Sequence, residues 1–245
     1  MNNAFEGIIN LFEPENFTKI QSAHFLVVGI GGVGSWVCEA LARSGALNVA
    51  VVDLDEICES NINRQVHALS TNIGKTKVEE IKKRMLAINS SINVNCIADF
   101  FTESTKEFVF ANQFDFIFDA IDSYKNKSLL IHECTQRKIP FISIGATGAR
   151  LDPTLIEIRD INRTINDKLL QHVKRYLKKN YGFYKFHKDP YKVPTVTSTE
   201  LPKKMQESSS TTGINCQSGL GSASFVTASF GFAAVAYALK RIAHE

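Results

Sequence analysis

The chain has 245 residues, 44% hydrophobic and 22% charged, enough to bury roughly three quarters of its unfolded surface in one sizeable core. Its formal net charge of +3 argues against a protein that coats nucleic acid over its whole surface. The five cysteines, Cys38, Cys58, Cys96, Cys134 and Cys216, never form the C-x-x-C pairs of a structural zinc site or a redox motif. They fit a reducing cytoplasm, and the opening Met1–Glu6 lacks the positive patch and apolar run of a secretory signal. A single cytoplasmic domain over residues 1–245 is expected.

Along the first half, short β-branched runs alternate with amphipathic segments, the pattern of βαβ units and a mostly parallel sheet. This predicts an α/β, Rossmann-like, doubly wound fold with additional C-terminal strands and a helix. Strands are expected at 25–28, 49–53, 92–97, 115–119 and 141–144, with helices between them. Val33–Ser44 places Trp36, Val37, Ala40 and Leu41 on one face and stops at Gly45, a residue suited to a helix C-terminus. Lys75–Ile88 repeats the design with Val78, Ile81, Met85 and Ile88. A second strand group includes 155–159, and the basic 164–180 segment reads as helical. Its continuation to about Gly213 has no clear period, so the basic region at about 163–213 is expected to carry a loop or lid. Between Arg163 and Lys204 stand 11 Lys/Arg against three acids, with Tyr176, Tyr181, Tyr184, Tyr191, Phe183 and Phe186 among them. Leu220–Leu239 runs 20 positions without a charge, the minimum for a membrane helix. Its Gly, Ser, Ala and Thr content favours a core helix packed on a sheet, with peripheral membrane contact through 220–239 as the alternative.

Gly29, Gly31, Gly32 and Gly34 follow a predicted strand and open a predicted helix, the context a G-x-G-x-x-G loop requires. Glycines let backbone amides approach phosphate, and the helix N-terminus supplies about half a positive charge. Asp53 ends the next strand nineteen residues beyond Gly34, where a carboxylate can accept from ribose hydroxyls. These features alone describe an NAD-linked oxidoreductase equally well. The following stretch separates the readings: Arg64 and Lys77 can neutralise the pyrophosphate that leaves in adenylyl transfer, a charge that hydride transfer does not generate. Asp122, in the D-x-x-D turn that begins at Asp119, is suited to the magnesium that bridges phosphates, while Asp119 can alternatively cap a helix. Arg64, Lys77 and Asp122 are therefore the expected catalytic set. Both cation positions are expected to be polar, so Arg64→Ala and Lys77→Ala should harm chemistry more than folding. Gly74-Lys75-Thr76 lacks the upstream glycine of a P-loop, and His67 reads equally as a substrate contact or a packed side chain.

With its Gly-rich loop, Arg43, the D-x-D…S-N-x-x-R-Q signature from Asp53 to Gln65, Lys77 thirteen residues past Arg64, and the D-x-x-D turn, the sequence resembles the superfamily of ubiquitin-activating enzymes and the molybdopterin- and thiamine-pathway adenylyltransferases. The resemblance implies Asp53 at ribose, Asn61, Arg64, Gln65 and Lys77 around the phosphates, and Asp122 at magnesium. It also implies that Asp55, Asn61, Gln65, Asp119 and Ser123 join the glycines and Asp53 in the ATP site, with Asp122 holding Mg2+. Within that superfamily the chain is similar to the tRNA threonylcarbamoyladenosine dehydratase family. That likeness rests on the segments around Ala23–Trp36, Asn63–Leu69, Asp119–Ser123, Asp152–Thr154, Ser198–Glu200 and Cys216–Gly221, with Val226–Phe232 after them. It implies ATP-dependent activation of a threonylcarbamoyl carboxylate on tRNA, then cyclisation, by a homodimer. The alternative within the superfamily is an adenylyltransferase or adaptor for a ubiquitin-like or sulfur-carrier protein. The basic, aromatic 163–204 stretch could track tRNA phosphates and stack a base, or simply be a solvated face. Two positions depart from relatives: Asn10 stands where an arginine would reach the partner subunit's ATP, and Thr195 lies where thioester-forming relatives keep a cysteine. The missing C-x-x-C pairs set the chain apart from zinc-bearing relatives that activate sulfur carriers. Cys216 reads first as a structural or incidental cysteine, and is the position at which a sulfur-acceptor role, with a cysteine desulfurase as partner, would fall.

Overall fold

The computed structural model describes residues 3–183, 190–203 and 221–244; Tyr184, Phe186 and Cys216, singled out above, lie outside them. Two short helices, α1 (Glu6–Phe12) and α2 (Pro14–Ser22), precede the first strand. The order is then β1 (His24–Val28), α3 (Gly34–Arg43), β2 (Asn48–Val52), α4 (Lys77–Ile88), β3 (Asn93–Ile97), α5 (Lys106–Val109), β4 (Phe116–Asp119), α6 (Tyr124–Arg137) and β5 (Phe141–Ile144). It finishes with β6 (Ile156–Asp160), α7 (Lys168–Tyr181), β7 (Pro194–Ser198) and α8 (Ser224–His244).

All seven strands form one sheet in the order β3-β2-β1-β4-β5-β7-β6. Each neighbouring pair is parallel except β6 on β7. Strand side chains alternate between faces, and here both faces are apolar. Phe25 and Val27 of β1 join one core with Val37 and Leu41 of α3, Ile81 and Met85 of α4 and Phe230 of α8. Leu26 and Val28 join the opposite core with Leu130 and Ile131 of α6 and Leu170, Val173 and Leu177 of α7. Phe25, Phe116 and Phe118 are fully buried, each contributing roughly 1.5–3 kcal/mol. A strand apolar on both faces needs helices above and below, so the doubly wound fold follows from the strand composition.

Over Pro194–Ser198, β7 replaces the expected loop or lid; the part of that expectation from 204 to 213 lies outside the described residues. Pro194 sits at the first residue of that strand, where its missing N–H costs no central ladder bond, and Thr195 through Ser198 are buried. α8 packs as a core helix against α3 and α2, with Val226, Phe230, Ala234 and Ala238 buried. A Cβ at Gly231 would lie 3.0 Å from Trp36 Cβ and 3.2 Å from the Val33 oxygen, so the absent side chain sets how closely α8 approaches α3. Half of its apolar window is buried inside the protein.

Candidate nucleotide site

The strand order reverses between β1 and β4, and in open α/β sheets that crevice at the strands' C-terminal ends is where ligands bind. The turn after β1 shows why only glycine serves there. Gly29 has φ of +90°, and a Cβ on it would lie 2.9 Å from the Ala120 carbonyl oxygen at the end of β4. A Cβ on Gly34 would run into the Gly29 carbonyl oxygen, whereas one on Gly31 would meet nothing within 4 Å. Two glycines thus close the turn, and the third leaves its backbone bare toward the crevice. The amides of Ser35, Trp36 and Val37 donate to the carbonyls of Gly31 and Val33, so α3 contributes here through the positive end of its dipole.

The crevice is a cleft of about 940 Å³, within the range of small-molecule sites. Gly29, Gly31, Gly32, Asp53, Asp55, Asn61, Arg64, Gln65, Lys77, Asp122 and Ser123 all line it. Arg64, Lys77 and Asp122, separated by up to 58 positions of chain, thus line one cleft. Gly34 does not line the cleft; it acts by letting α3 start against Gly29. Asp119 also leaves the expected nucleotide set. It is fully buried, its Oδ1 is 2.9 Å from Lys127 Nζ, and its Oδ2 accepts from Ser143 Oγ at 2.7 Å. Burial pushes its carboxyl above the usual range, opposed by Lys127 and Ser143. The residue anchors β4 to α6 and β5.

Asp53 is held from both sides: Oδ2 accepts from the Ile30 amide at 2.6 Å and Oδ1 from the Asp55 amide at 2.9 Å. Burial raises its carboxyl pKa, against the pull of Lys77 and these two amides. Lys77 is buried, not merely polar. Its ammonium lies 2.6 Å from Asp55 Oδ2 and 3.8 Å from Asp53 Oδ1. Asn61 shapes the turn behind Arg64: its Oδ1 accepts from the Cys58 amide at 3.0 Å, and its carbonyl accepts from the amides of Arg64 and Gln65. The Arg64 carbonyl is clamped by Trp36 Nε1 at 3.0 Å and Thr227 Oγ1 at 3.3 Å. Its guanidinium donates to the Ser60 carbonyl at 2.5 Å and to Asn63 Oδ1 at 3.0 Å. The side chain crosses Gly32, whose missing Cβ would lie 3.3 Å from Arg64 Cδ, so a cation overhangs the phosphate loop. Gln65 Oε1 is buried without a partner, as expected of a polar group that faces a ligand site.

The opposite wall was not foreseen. Gly145–Gly148, directly after β5, line the cleft with Asn126, Leu169 and Asp99–Phe101. The Ala146 amide donates to Asp167 Oδ2 at 2.8 Å. Arg150, almost fully buried, donates to the carbonyls of Ala146, Glu200 and Asn166 at 3.0, 2.6 and 2.8 Å. The available signal was the Gly-Ala-Thr-Gly run directly after a predicted strand. His67, open in the sequence, is a packed side chain outside the cleft lining: it is 2% exposed, and neither ring nitrogen has a partner. Burial, then the nearby Lys77, lowers its pKa to about 4.

The fold and cleft define an α/β protein that binds the phosphates of a nucleotide at its first strand-to-helix turn. The chain belongs to the ThiF family, whose model matches residues 6–245. It is 41% identical to the tRNA threonylcarbamoyladenosine dehydratase of Haemophilus influenzae over 97% of this chain and 92% of that protein. The Escherichia coli protein of the same name is 37% identical over the same shares. The crystal structure of that Escherichia coli enzyme with AMP superposes with a TM-score of 0.91, covering 98% of this chain and 94% of that one. Its ATP complex gives 0.89. The Escherichia coli MccB structures, 18% identical at a TM-score of 0.64, share the fold.

Proposed function

We propose that the chain catalyses the ATP-dependent dehydration of threonylcarbamoyladenosine in tRNA, the whole chain working as one adenylylating unit. The observation that carries the reading is a cleft of about 940 Å³ lined by the glycine turn, Arg64 and Lys77, in a chain 41% identical to a named dehydratase over nearly its full length.

A carboxylate oxygen of the threonylcarbamoyl group attacks the α-phosphorus, the bond to the bridging oxygen breaks, and pyrophosphate leaves. An internal nucleophile of the same group then attacks the acyl carbon, giving up its proton to solvent. AMP departs with the former carboxylate oxygen, so the nucleoside loses one water. In this scheme the Gly29–Gly34 turn and the α3 N-terminus hold phosphate oxygens, and Asp53 meets the ribose. Asn61 and Gln65 fix the turn beside the phosphates. Arg64 and Lys77 neutralise charge on the departing pyrophosphate, the kind of electrostatic help that dominates phosphoryl-type transfer. The Gly145–Gly148 loop, pinned by Asp167 and Arg150, is the wall left for the acyl group.

Magnesium fits this cleft. Its lining carries five carboxylates, Asp53, Asp55, Glu56, Asp99 and Asp122, against two cations, Arg64 and Lys77, an acidic balance that disfavours a bare triphosphate. Mg2+ commonly uses one or two protein carboxylates plus substrate phosphates, which suits Asp122. When bound, the ion would offset phosphate charge. Action as a homodimer, which the family resemblance implies, is supported by the exposed apolar side chains Leu11, Phe225 and Phe232. Incubation with ATP and threonylcarbamoylated tRNA, then nucleoside mass analysis, tests the reading: loss of one water is expected, and unchanged nucleoside with ATP present would refute it.

A further inference from the structure

The α6/α7 seam carries a second recess outside the nucleotide cleft, a notch of about 290 Å³ lined by Tyr124, His172, Arg175, Tyr176 and Lys179. Both helices start at the cleft. Tyr124 opens α6 immediately after the cleft-lining Asp122 and Ser123, and α7 is capped by Asp167, which holds Ala146, while Leu169 lines the cleft. The seam therefore leads outward from the cleft mouth. His172, Arg175, Tyr176 and Lys179 stand at i, i+3, i+4 and i+7, one face of α7. Lys168 extends that face toward the cleft, giving a strip of about 16 Å at 1.5 Å per residue.

The chemistry of the strip is specific. α7 holds five Lys/Arg and no acid. Arg175 and Lys179 are exposed and in no ion pair among the described residues, whereas Lys83, Lys106 and Arg137 are each paired with glutamates. Tyr124 meets His172 at 5.6 Å and 73°, and Tyr176 at 5.7 Å and 69°. These edge-on contacts wall the notch without stacking the rings on one another. Tyr124 remains 37% exposed. Unpaired cations beside an open aromatic notch match an anionic ligand that bears flat π-faces, and single-stranded nucleotides are that ligand.

We propose that this notch is a stacking subsite for an unpaired base of the substrate RNA neighbouring the adenosine held in the cleft, with Arg175 and Lys179 on the flanking phosphates. The proposal rests on the tRNA-directed reading above. It is tested with Tyr124→Ala, Tyr124→Phe and Arg175→Ala/Lys179→Ala in the full chain, reading tRNA affinity by anisotropy, KM for tRNA in the dehydration assay and ATP affinity as a fold control. Stacking is expected to make Tyr124→Ala bind tRNA about tenfold more weakly, with matching KM, unchanged ATP affinity and recovery in Tyr124→Phe. The double variant should lower the slope of log affinity on log salt by about 1.4, at about 0.7 per phosphate of a single strand. Unchanged affinity in Tyr124→Ala, an equal loss in Tyr124→Phe, or an unaltered salt slope would overturn it. Absence of dehydration by the unmodified chain would sink the catalytic reading alone, because the binding arms report on the notch independently.

Discussion

Lys77→Ala is expected to cost folding stability as well as chemistry, which reverses the sequence-based expectation that the position is merely polar. The ammonium is 7% exposed and sits 2.6 Å from Asp55 and 3.8 Å from Asp53, itself only 8% exposed. Removing one partner of a buried ionic group costs about 3–5 kcal/mol, mainly because charge is left unpaired. Asp55 is 51% exposed and regains water, so the expected loss is about 2–3 kcal/mol. For a domain of this size that lowers the Tm by about 4–10 °C. The assay is urea unfolding of ligand-free protein. Adding Asp55→Asn to Lys77→Ala should recover part of the loss, since the two carboxylates no longer repel. Stability within about 0.5 kcal/mol of the parent, the range of ordinary surface changes, would refute the reasoning.

Arg64→Ala should abolish adenylyl transfer at a stability cost below about 1 kcal/mol, because the guanidinium's contacts are exposed while its backbone clamp remains; equal damage to unfolding free energy would contradict this. His67, at 6.5 unfolded and about 4 folded, binds a proton in the unfolded state that the native state refuses. Stability should be full above about pH 6.5, fall through that window by about 3 kcal/mol, and level below it, with His67→Phe flattening the slope in urea melts across pH. Gly231→Leu should push α8 off α3 and lower the Tm, since even a Cβ there lies 3.0 Å from Trp36; a neutral result would place the helix contact elsewhere. Asp122→Asn should raise the Mg2+ concentration needed for half-maximal activity while ATP-free stability stays unchanged, as titration of the metal would show.

Much of the fold was legible because its strands carry their own signal. Phe25–Val28, Val49–Val52 and Phe141–Ile144 are apolar on both faces, a reading that does not depend on distant residues. β7 was missed because Pro194-Thr-Val-Thr-Ser198 is polar by composition, and its threonines and Ser198 are buried only through pairing with β5 and β6. The lining of the phosphate side was visible in the glycine spacing and in Arg64, Lys77 and Asp122. The roles of Asp119 and Lys77 were not, because burial is a tertiary fact: Lys127, eight residues after Asp119, captures that carboxylate, and Asp55 captures the lysine. Arg150 was invisible for the same reason, since its acceptors are carbonyls of Ala146, Asn166 and Glu200 brought together only by the sheet.

The most direct measurement is exchange of labelled pyrophosphate into ATP, run with and without threonylcarbamoylated tRNA, in the parent chain and in Arg64→Ala. Carboxylate adenylylation in the cleft requires exchange that depends on the modified tRNA and disappears in Arg64→Ala. Exchange that ignores the threonylcarbamoyl group, or that survives loss of the Arg64 guanidinium, would contradict it.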